Sequence, residues 1–163
     1  MSYNFCPECG EALVIKDHKT DGPTPYCPRC GRFRHPLYNT AVSMIVRRRS
    51  DGKILLILQY GKPGYILVAG YINRGESAEA AAARELKEET GLNALGVEFN
   101  RSRFFEPSNT LMCNFTVTVE DGAELKLNDE VDSAAWFTPA RARENIRPNS
   151  LAGEFLREYL DGE

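Results

Sequence analysis

The sequence predicts an α+β fold, in which helices pack on a mixed β-sheet, preceded by a small cysteine-rich module. Three observations support this prediction. Four of the five cysteines form two C-x2-C pairs in a polar, turn-rich N-terminal segment. Strand-sized apolar runs and helical segments then follow one another without strict βαβ alternation. Finally, 163 residues that are 42% hydrophobic and 26% charged are typical of a globular protein with one main core.

The four paired cysteines indicate a metal-binding module. The pattern is C-x2-C, seventeen residues, C-x2-C, and a glycine follows each pair. Two such knuckles can converge on one tetrahedral Zn²⁺, whereas a cytosolic chain disfavours disulfides and the spacing disfavours a redox pair. Four thiolates leave no open position for substrate, so we expect a structural zinc ribbon over residues 1–36 and a larger domain over residues 37–163. The predicted zinc ligands are Cys6, Cys9, Cys27 and Cys30.

The larger domain opens with two apolar strands joined by the turn "SDG", and a third strand leads to Gly70. A helix follows over residues 78–90, with Ser77 as its N-cap and Gly91 as its C-terminal stop. Further strands and two helices complete the domain, and Thr138-Pro139 begins the first of these helices. The predicted strands are residues 40–49, 53–60, 64–71, 94–106, 111–120 and 133–138, and the later helices are residues 138–145 and 149–160.

Composition and charge exclude several classes of function. The net charge is −3, which gives no global electrostatic reason to bind nucleic acid. The longest apolar runs are too short to span a bilayer, and the N-terminus has no basic start or apolar leader segment. We therefore expect a cytoplasmic protein without membrane association.

Three glutamates crowd one side of the predicted helix. Glu85, Glu88 and Glu89 fall within about 100° of arc, and Glu85 and Glu89 form an i,i+4 pair of like charge. From composition alone, a solvated acidic face is an equal alternative to a cation site. The same side otherwise carries only alanines, such as Ala81 and Ala82, so we expect the helix surface above it to be open. Hard carboxylate ligands on a rigid helix suit Mg²⁺ or Mn²⁺.

The spacing around these glutamates resembles the Nudix box at each of its defining positions. Gly70 is followed after five residues by Glu76, and after seven more by "REL-K-EE-T-GL" at residues 84–92. The resemblance implies the Nudix fold and a hydrolase that cleaves nucleoside diphosphates linked to another moiety, using divalent metals and a water nucleophile.

The resemblance also implies roles for individual residues. Glu85 and Glu89 would be the principal metal ligands, with the backbone carbonyl of Ala69 completing the shell. Glu88 would be a further ligand, and either Glu88 or Glu89 would be the base. Motif-structural roles fall to Gly70, Glu76, Arg84 and Gly91, of which Arg84 and Glu76 would pair and hold the loop against the helix.

A four-cysteine ribbon before the box, together with "LVAGYINRGES", resembles the NADH pyrophosphatase branch of this family. That resemblance places a further metal-ligand carboxylate at Glu130 and substrate contacts at Ala152 and Tyr71. An aromatic residue at a strand end is equally often a core residue, so Tyr71 has that alternative.

One segment departs from the branch. Where the branch reads SQPWPFPxS, this chain reads "SRFFEPSNT" at residues 102–110, which introduces Arg103 and puts Phe105 in the place of tryptophan. We include both residues among the substrate contacts and expect NADH not to be the best substrate. ADP-ribose, NAD(H), FAD, another dinucleotide or a nucleotide cap on RNA are left open as substrates, and a homodimer is left open as the assembly.

The rival interpretation is a non-catalytic, nucleotide-sensing regulator whose ribbon contacts nucleic acid. The intact glutamates in the box favour the enzyme.

Overall fold

The computed structural model describes residues 4–162. The chain divides into two compact units, one ending at Tyr38 and the other beginning at Asn39. The first contains a three-stranded sheet and the second a six-stranded sheet. The predicted α+β architecture, with a mixed sheet preceded by a cysteine-rich module, is confirmed.

The first unit is an antiparallel sheet of three short strands. These are β1 (Val14–His18), β2 (Gly22–Cys27) and β3 (Arg32–Phe33), in that order. Gly22 allows the β1–β2 turn because its backbone is left-handed, with φ of 68°. No individual strands were predicted within the zinc ribbon, because such short strands carry little periodic signal.

The second unit is built around one mixed sheet. Its strands are β4 (Asn39–Arg48), β5 (Ile54–Gln59), β6 (Val68–Tyr71), β7 (Ala94–Phe105), β8 (Thr110–Val119) and β9 (Val131–Phe137). The order is β7-β8-β4-β5-β9, and β6 pairs with the first half of β4. The pairing of β4 with β8 is parallel, whereas all other pairings in this sheet are antiparallel.

Three helices pack on this sheet: α1 (Ala78–Thr90), α2 (Pro139–Asn145) and α3 (Leu151–Asp161). The predicted ends of α1 are confirmed. The Ser77 side chain accepts a hydrogen bond from the Ala80 N–H, and Gly91 ends the helix in the left-handed conformation with φ of 74°. None of the helices in the described part of the chain combines the length and apolar character needed to cross a membrane.

Strand alternation divides the core between the two faces of the sheet. On β5, Leu55 and Ile57 belong to the hydrophobic cluster that packs with Leu86 of α1. The alternate residues Ile54 and Leu56 belong to the hydrophobic cluster that includes residues of α2 and α3. This is expected of a strand that is buried on both faces. Helix α1 is therefore held on one face of the sheet by its alanines and Leu86.

Two details differ from the predictions. The third strand begins at Val68 rather than Gly64, because Gly64 has a left-handed backbone with φ of 88° and the next residues form only isolated bridges. The expectation of an open helix surface was wrong at the alanines of α1. Ala81 and Ala82 are completely buried, because their small side chains let the helix lie close to the sheet.

Candidate active site

The site forms where β6 meets α1 through the loop at residues 72–77. Arg84 reaches back from the helix and holds this loop: its guanidinium donates to both oxygens of Glu76, at 2.8 and 2.9 Å, and to the Tyr71 carbonyl at 2.9 Å. Glu76 also accepts from the Asn73 N–H at 3.0 Å. The hydrogen bonds from Arg84, followed by that from Asn73, lower the pKa of Glu76 to about 2. Strand, loop and helix are thus fixed to one another.

Glycine is needed at position 70 because Glu85 lies directly against it. A Cβ atom on Gly70 would lie 2.0 Å from the Glu85 carboxyl carbon, so an added side chain would force the carboxylate out of its position. Arg84 also donates to Glu85 at 2.8 Å and to Glu88 at 3.0 Å, which fixes both carboxylates on the side facing β6. The backbone of β6 and the glutamates of α1 therefore face one space.

Glu89 is the most unusual group of the site. It is only 3% exposed, and its Oε2 atom is buried without a hydrogen-bond partner among the described residues. Burial raises the pKa of Glu89 to about 8, and the negative charges of Glu85, Glu130 and Glu88 add to this effect, while a hydrogen bond from Gln59 opposes it. A buried carboxylate among three others is unfavourable unless a cation joins them.

The glutamates line a cavity of about 410 Å³, which we call the acidic cavity. It brings together most of the site residues predicted for the larger domain, including Glu130, which lies just before β9. Three of its lining residues, Gln59, Tyr60 and Asn73, were not predicted from the sequence. The signal for Gln59 and Tyr60 is a polar pair that ends an otherwise apolar strand. The lining residues are Gln59, Tyr60, Ala69, Gly70, Tyr71, Asn73, Arg84, Glu85, Glu88, Glu89 and Glu130.

These donors fit a hard divalent cation. Carboxylate and backbone carbonyl oxygens are the ligands that Mg²⁺ and Mn²⁺ favour, and the cavity leaves room for water and substrate oxygens. The unpartnered oxygen of Glu89 and the crowding of like charges are both relieved by a cation placed among them. Among the three helix glutamates that line the cavity, Glu88 is the most accessible, with 55% of its side chain exposed.

A second cavity, of about 270 Å³, adjoins the first and is largely apolar. Phe105, Met112 and Ala152 line it, so the structure brings two predicted substrate contacts, Phe105 and Ala152, to one place. Ala69 lines both cavities. A smaller space of about 190 Å³, lined in part by Tyr71 and Met112, lies between them. The ring of Tyr71 is 59% exposed, so Tyr71 is not a core residue.

The prediction for Arg103 requires a correction. Arg103 lines neither cavity, because α3 packs against the same face of β7 and presents two carboxylates to it. The guanidinium donates to Glu154 and to Glu158, each at 2.6 Å. In this position Arg103 joins the edge of the sheet to α3 and does not contact the space for a ligand.

The four predicted zinc ligands lie together in the first unit. Their sulfur atoms all fall within 4.8 Å of one another, with individual separations of 3.4, 3.6 and 3.9 Å. Zn–S bonds of about 2.3 Å in a tetrahedron require sulfur separations of about 3.8 Å, whereas a disulfide requires about 2 Å. The hydrogen bond with Cys9, together with burial, raises the pKa of Cys30 to about 12. The geometry fits one tetrahedral zinc ion.

The site is an acidic cavity at a strand–loop–helix junction, on a mixed sheet with helices on both faces. The NUDIX domain family matches residues 37–159, and the chain belongs to this family. The family predicted from the box is thereby confirmed.

Similar proteins in the curated collection are NAD-capped RNA hydrolases. The NudC of Pseudomonas aeruginosa is 27% identical over 156 residues, which cover 96% of this chain and 55% of that protein. The NudC of Chromobacterium violaceum is 28% identical over 163 residues, covering 98% of this chain and 59% of that protein. The chain thus spans little more than half the length of these relatives.

Solved structures share the fold. A NUDIX hydrolase from Nitrosomonas europaea aligns with a TM-score of 0.67 and 20% identity, covering 99% of this chain and 94% of that one. The NUDIX domain of Shewanella oneidensis NrtR, solved with ADP ribose, aligns with a TM-score of 0.65 and 15% identity, covering 84% of this chain and 93% of that one.

Proposed function

We propose that this protein hydrolyses the diphosphate linkage of a nucleoside diphosphate derivative, with Mg²⁺ or Mn²⁺ bound in the acidic cavity. The observation that carries the proposal is Glu89. A carboxylate that is 3% exposed, lacks a partner for one oxygen and lies among other glutamates is arranged for a cation. The proposed ligands are the Ala69 carbonyl, Glu85, Glu88, Glu89 and Glu130.

The bound cation would neutralise charge on the diphosphate and lower the pKa of a water molecule. The residues of the chain would position the ligands of the cation and accept a proton from the attacking water. Arg84 fixes Glu85 and Glu88, and Gly70 keeps the space between β6 and α1 free of a side chain. Of the two predicted bases, Glu88 is bound to the Arg84 guanidinium and exposed to solvent, whereas Glu89 is buried in the cavity with a raised pKa. We therefore assign the proton of the attacking water to Glu89. The water oxygen bonds to phosphorus, the bridging P–O bond breaks, and two phosphate monoesters leave.

The apolar cavity beside the acidic one supports a substrate that carries a flat ring next to its diphosphate. Phe105 and Ala152 line this cavity, and the exposed ring of Tyr71 lies between it and the glutamates. We propose an adenine-containing diphosphate such as ADP-ribose, NAD(H) or FAD. Because similar proteins are NAD-capped RNA hydrolases, we include an NAD cap at an RNA end as a further candidate substrate of the same chemical class.

We also propose that Zn²⁺ occupies the cysteine cluster and has a structural role. Four converging sulfur atoms saturate a tetrahedral ion, and the small sheet of the first unit has little apolar core of its own. The ion would therefore supply much of the folding free energy of this unit.

The test is a hydrolysis screen with the full chain. Nucleoside diphosphate derivatives and an NAD-capped RNA oligonucleotide are incubated with Mg²⁺ or Mn²⁺, and products are identified by mass spectrometry. We expect cleavage within the diphosphate, absent in Glu89→Gln and unaltered in Glu79→Gln. The control changes the same charge on an exposed residue of the same helix, outside the cavity. Binding of nucleotides without any metal-dependent cleavage would instead support the nucleotide-sensing alternative.

A further inference from the structure

Tyr60 has an unfavourable backbone conformation for its residue type. It directly follows β5 and has φ of 55°, the left-handed region that bulky residues rarely adopt. Its ring is 61% exposed, so burial of the side chain does not offset this conformation. Strained residues of this kind cluster at functional sites, and Tyr60 lines the acidic cavity.

A β-bulge fixes the backbone at this point. Leu58 pairs with Ser133, but the next residue, Gln59, pairs with Val131, so Asp132 is an extra residue in β9. The Asp132 carboxylate accepts a hydrogen bond of 2.7 Å from the N–H of Gly61. The turn that follows β5 is thereby tied to the start of β9, where Glu130 lies.

The strained turn brings the Tyr60 hydroxyl to Glu130. The hydroxyl donates to Glu130 Oε2 at 2.8 Å. Over residues 4–162, this is the only hydrogen bond that the Glu130 side chain receives, and the residue is exposed on the segment that precedes β9. The backbone N–H of Glu130 donates to the Asn128 side chain at 3.1 Å, which orders the segment but leaves the carboxylate free to rotate.

We propose that Tyr60 is a positioning residue that holds the Glu130 carboxylate ready for the divalent cation of the acidic cavity, an inference that rests on the function proposed above. An exposed glutamate otherwise loses side-chain entropy when it binds a metal, and a fixed donor removes part of that loss beforehand. Because the phenol occupies Oε2, the second oxygen of Glu130 stays available to the cation. Hydrogen-bond donors to metal ligands commonly act in this way.

The experiment measures metal affinity in the absence of substrate. Mn²⁺ is titrated into the zinc-loaded full chain and followed by electron paramagnetic resonance. The variants are Tyr60→Phe, Glu130→Gln, the double variant, and Tyr159→Phe as the matched control. Tyr159 also has a hydrogen-bonded hydroxyl, which accepts from Arg47 at 3.2 Å, but it lies outside the acidic cavity.

We expect Tyr60→Phe to weaken Mn²⁺ binding by about tenfold, the lower end of the range for outer-shell partners. The double variant should bind Mn²⁺ no more weakly than Glu130→Gln alone, because Tyr60 acts through Glu130. In turnover assays, Tyr60→Phe should need more Mg²⁺ for half-maximal activity yet regain a kcat within about twofold of wild type at saturating Mg²⁺.

Three results would overturn this inference without touching the proposed function. In the first, Tyr60→Phe binds Mn²⁺ as tightly as Tyr159→Phe does. In the second, Glu130→Gln binds Mn²⁺ as tightly as wild type, and in the third, the effects of the two substitutions multiply in the double variant. A wild-type chain that binds no Mn²⁺ outside the ribbon would overturn the proposed function as well. The two failures are therefore distinguishable.

Discussion

Replacing Glu89 by glutamine should stabilise the metal-free protein. Burial and neighbouring carboxylates raise the pKa of Glu89 from 4.5 to about 8. Between these two values the folded state keeps a proton that the unfolded chain releases, so the free energy of unfolding falls as pH rises. Each pH unit in this window removes about 1.4 kcal/mol, and the loss reaches about 3 kcal/mol at about pH 7. Glutamine carries no charge and keeps the oxygen that Gln59 contacts, so the free energy of unfolding of the variant does not fall in this way as pH rises.

The assay is urea unfolding of both proteins from about pH 4.5 to about pH 8 in buffer without Mg²⁺, with zinc retained. The single tryptophan, Trp136, lies in β9 of the second unit and reports its unfolding by fluorescence. The free energy of unfolding of Glu89→Gln should equal that of wild type at about pH 4.5 and exceed it by about 3 kcal/mol at about pH 7. Added Mg²⁺ should stabilise wild type far more than the variant, by about 2.7 kcal/mol at a hundredfold excess over Kd.

Glu79→Gln is the matched control, because Glu79 is exposed in the first turn of the same helix. Its effect on the free energy of unfolding should stay within about 0.5 kcal/mol at every pH. A wild-type stability that does not fall between about pH 5 and about pH 8, or a Glu89→Gln variant less stable than wild type at about pH 7, would refute the electrostatic reasoning.

Four further outcomes follow from the site and the ribbon. Glu89→Gln should lower kcat by several orders of magnitude in Mg²⁺, and a variant that keeps more than about a tenth of the activity, a barrier change under about 1.4 kcal/mol, would contradict the role of Glu89. Gly70→Ala should weaken Mn²⁺ binding in titrations, because the new Cβ, 2.0 Å from the Glu85 carboxyl carbon, would displace this proposed ligand. Elemental analysis should find one zinc per chain, and its removal should unfold the first unit by circular dichroism while Trp136 fluorescence stays native. ADP-ribose should show a higher kcat/KM than NADH, and a preference of about tenfold for NADH, about 1.4 kcal/mol, would show that residues 102–110 do not set selectivity.

Local signals predicted the parts of the fold that depend on local chemistry. Helix α1 has a serine cap, a glycine stop and a regular pattern between them, so its ends were predicted at the residues where the structure has them. The parallel pairing of β4 with β8 joins residues about seventy positions apart, from Asn39 with Thr110 to Arg48 with Val119. No turn or periodicity encodes such a pairing, and only the packed sheet determines it.

The same division holds for the site. The fixed spacing of the box predicted the glutamates, Gly70 and Arg84, which lie within one continuous stretch of strand β6, the following loop and helix α1. Tyr60 was missed because its role depends on a bulge between two distant strands. Arg103 was assigned to the wrong surroundings, since only the packing of α3 shows that its guanidinium is already engaged.

The burial of Glu89 shows how a distant segment changes the chemistry of a local motif. Helical periodicity groups Glu89 with exposed polar residues, yet the segment before β9 docks on the end of α1. There the Lys126 N–H donates to the Thr90 carbonyl at 2.8 Å, and the Asn128 N–H donates to that of Glu89 at 3.4 Å. The Glu89 carboxylate is buried next to this segment, and its charge is unfavourable there without a cation. The same segment carries Glu130 on to β9, so it also supplies the further proposed ligand. Cation binding would therefore stabilise both this segment and α1, because the segment and the helix would each contribute ligands to the cation.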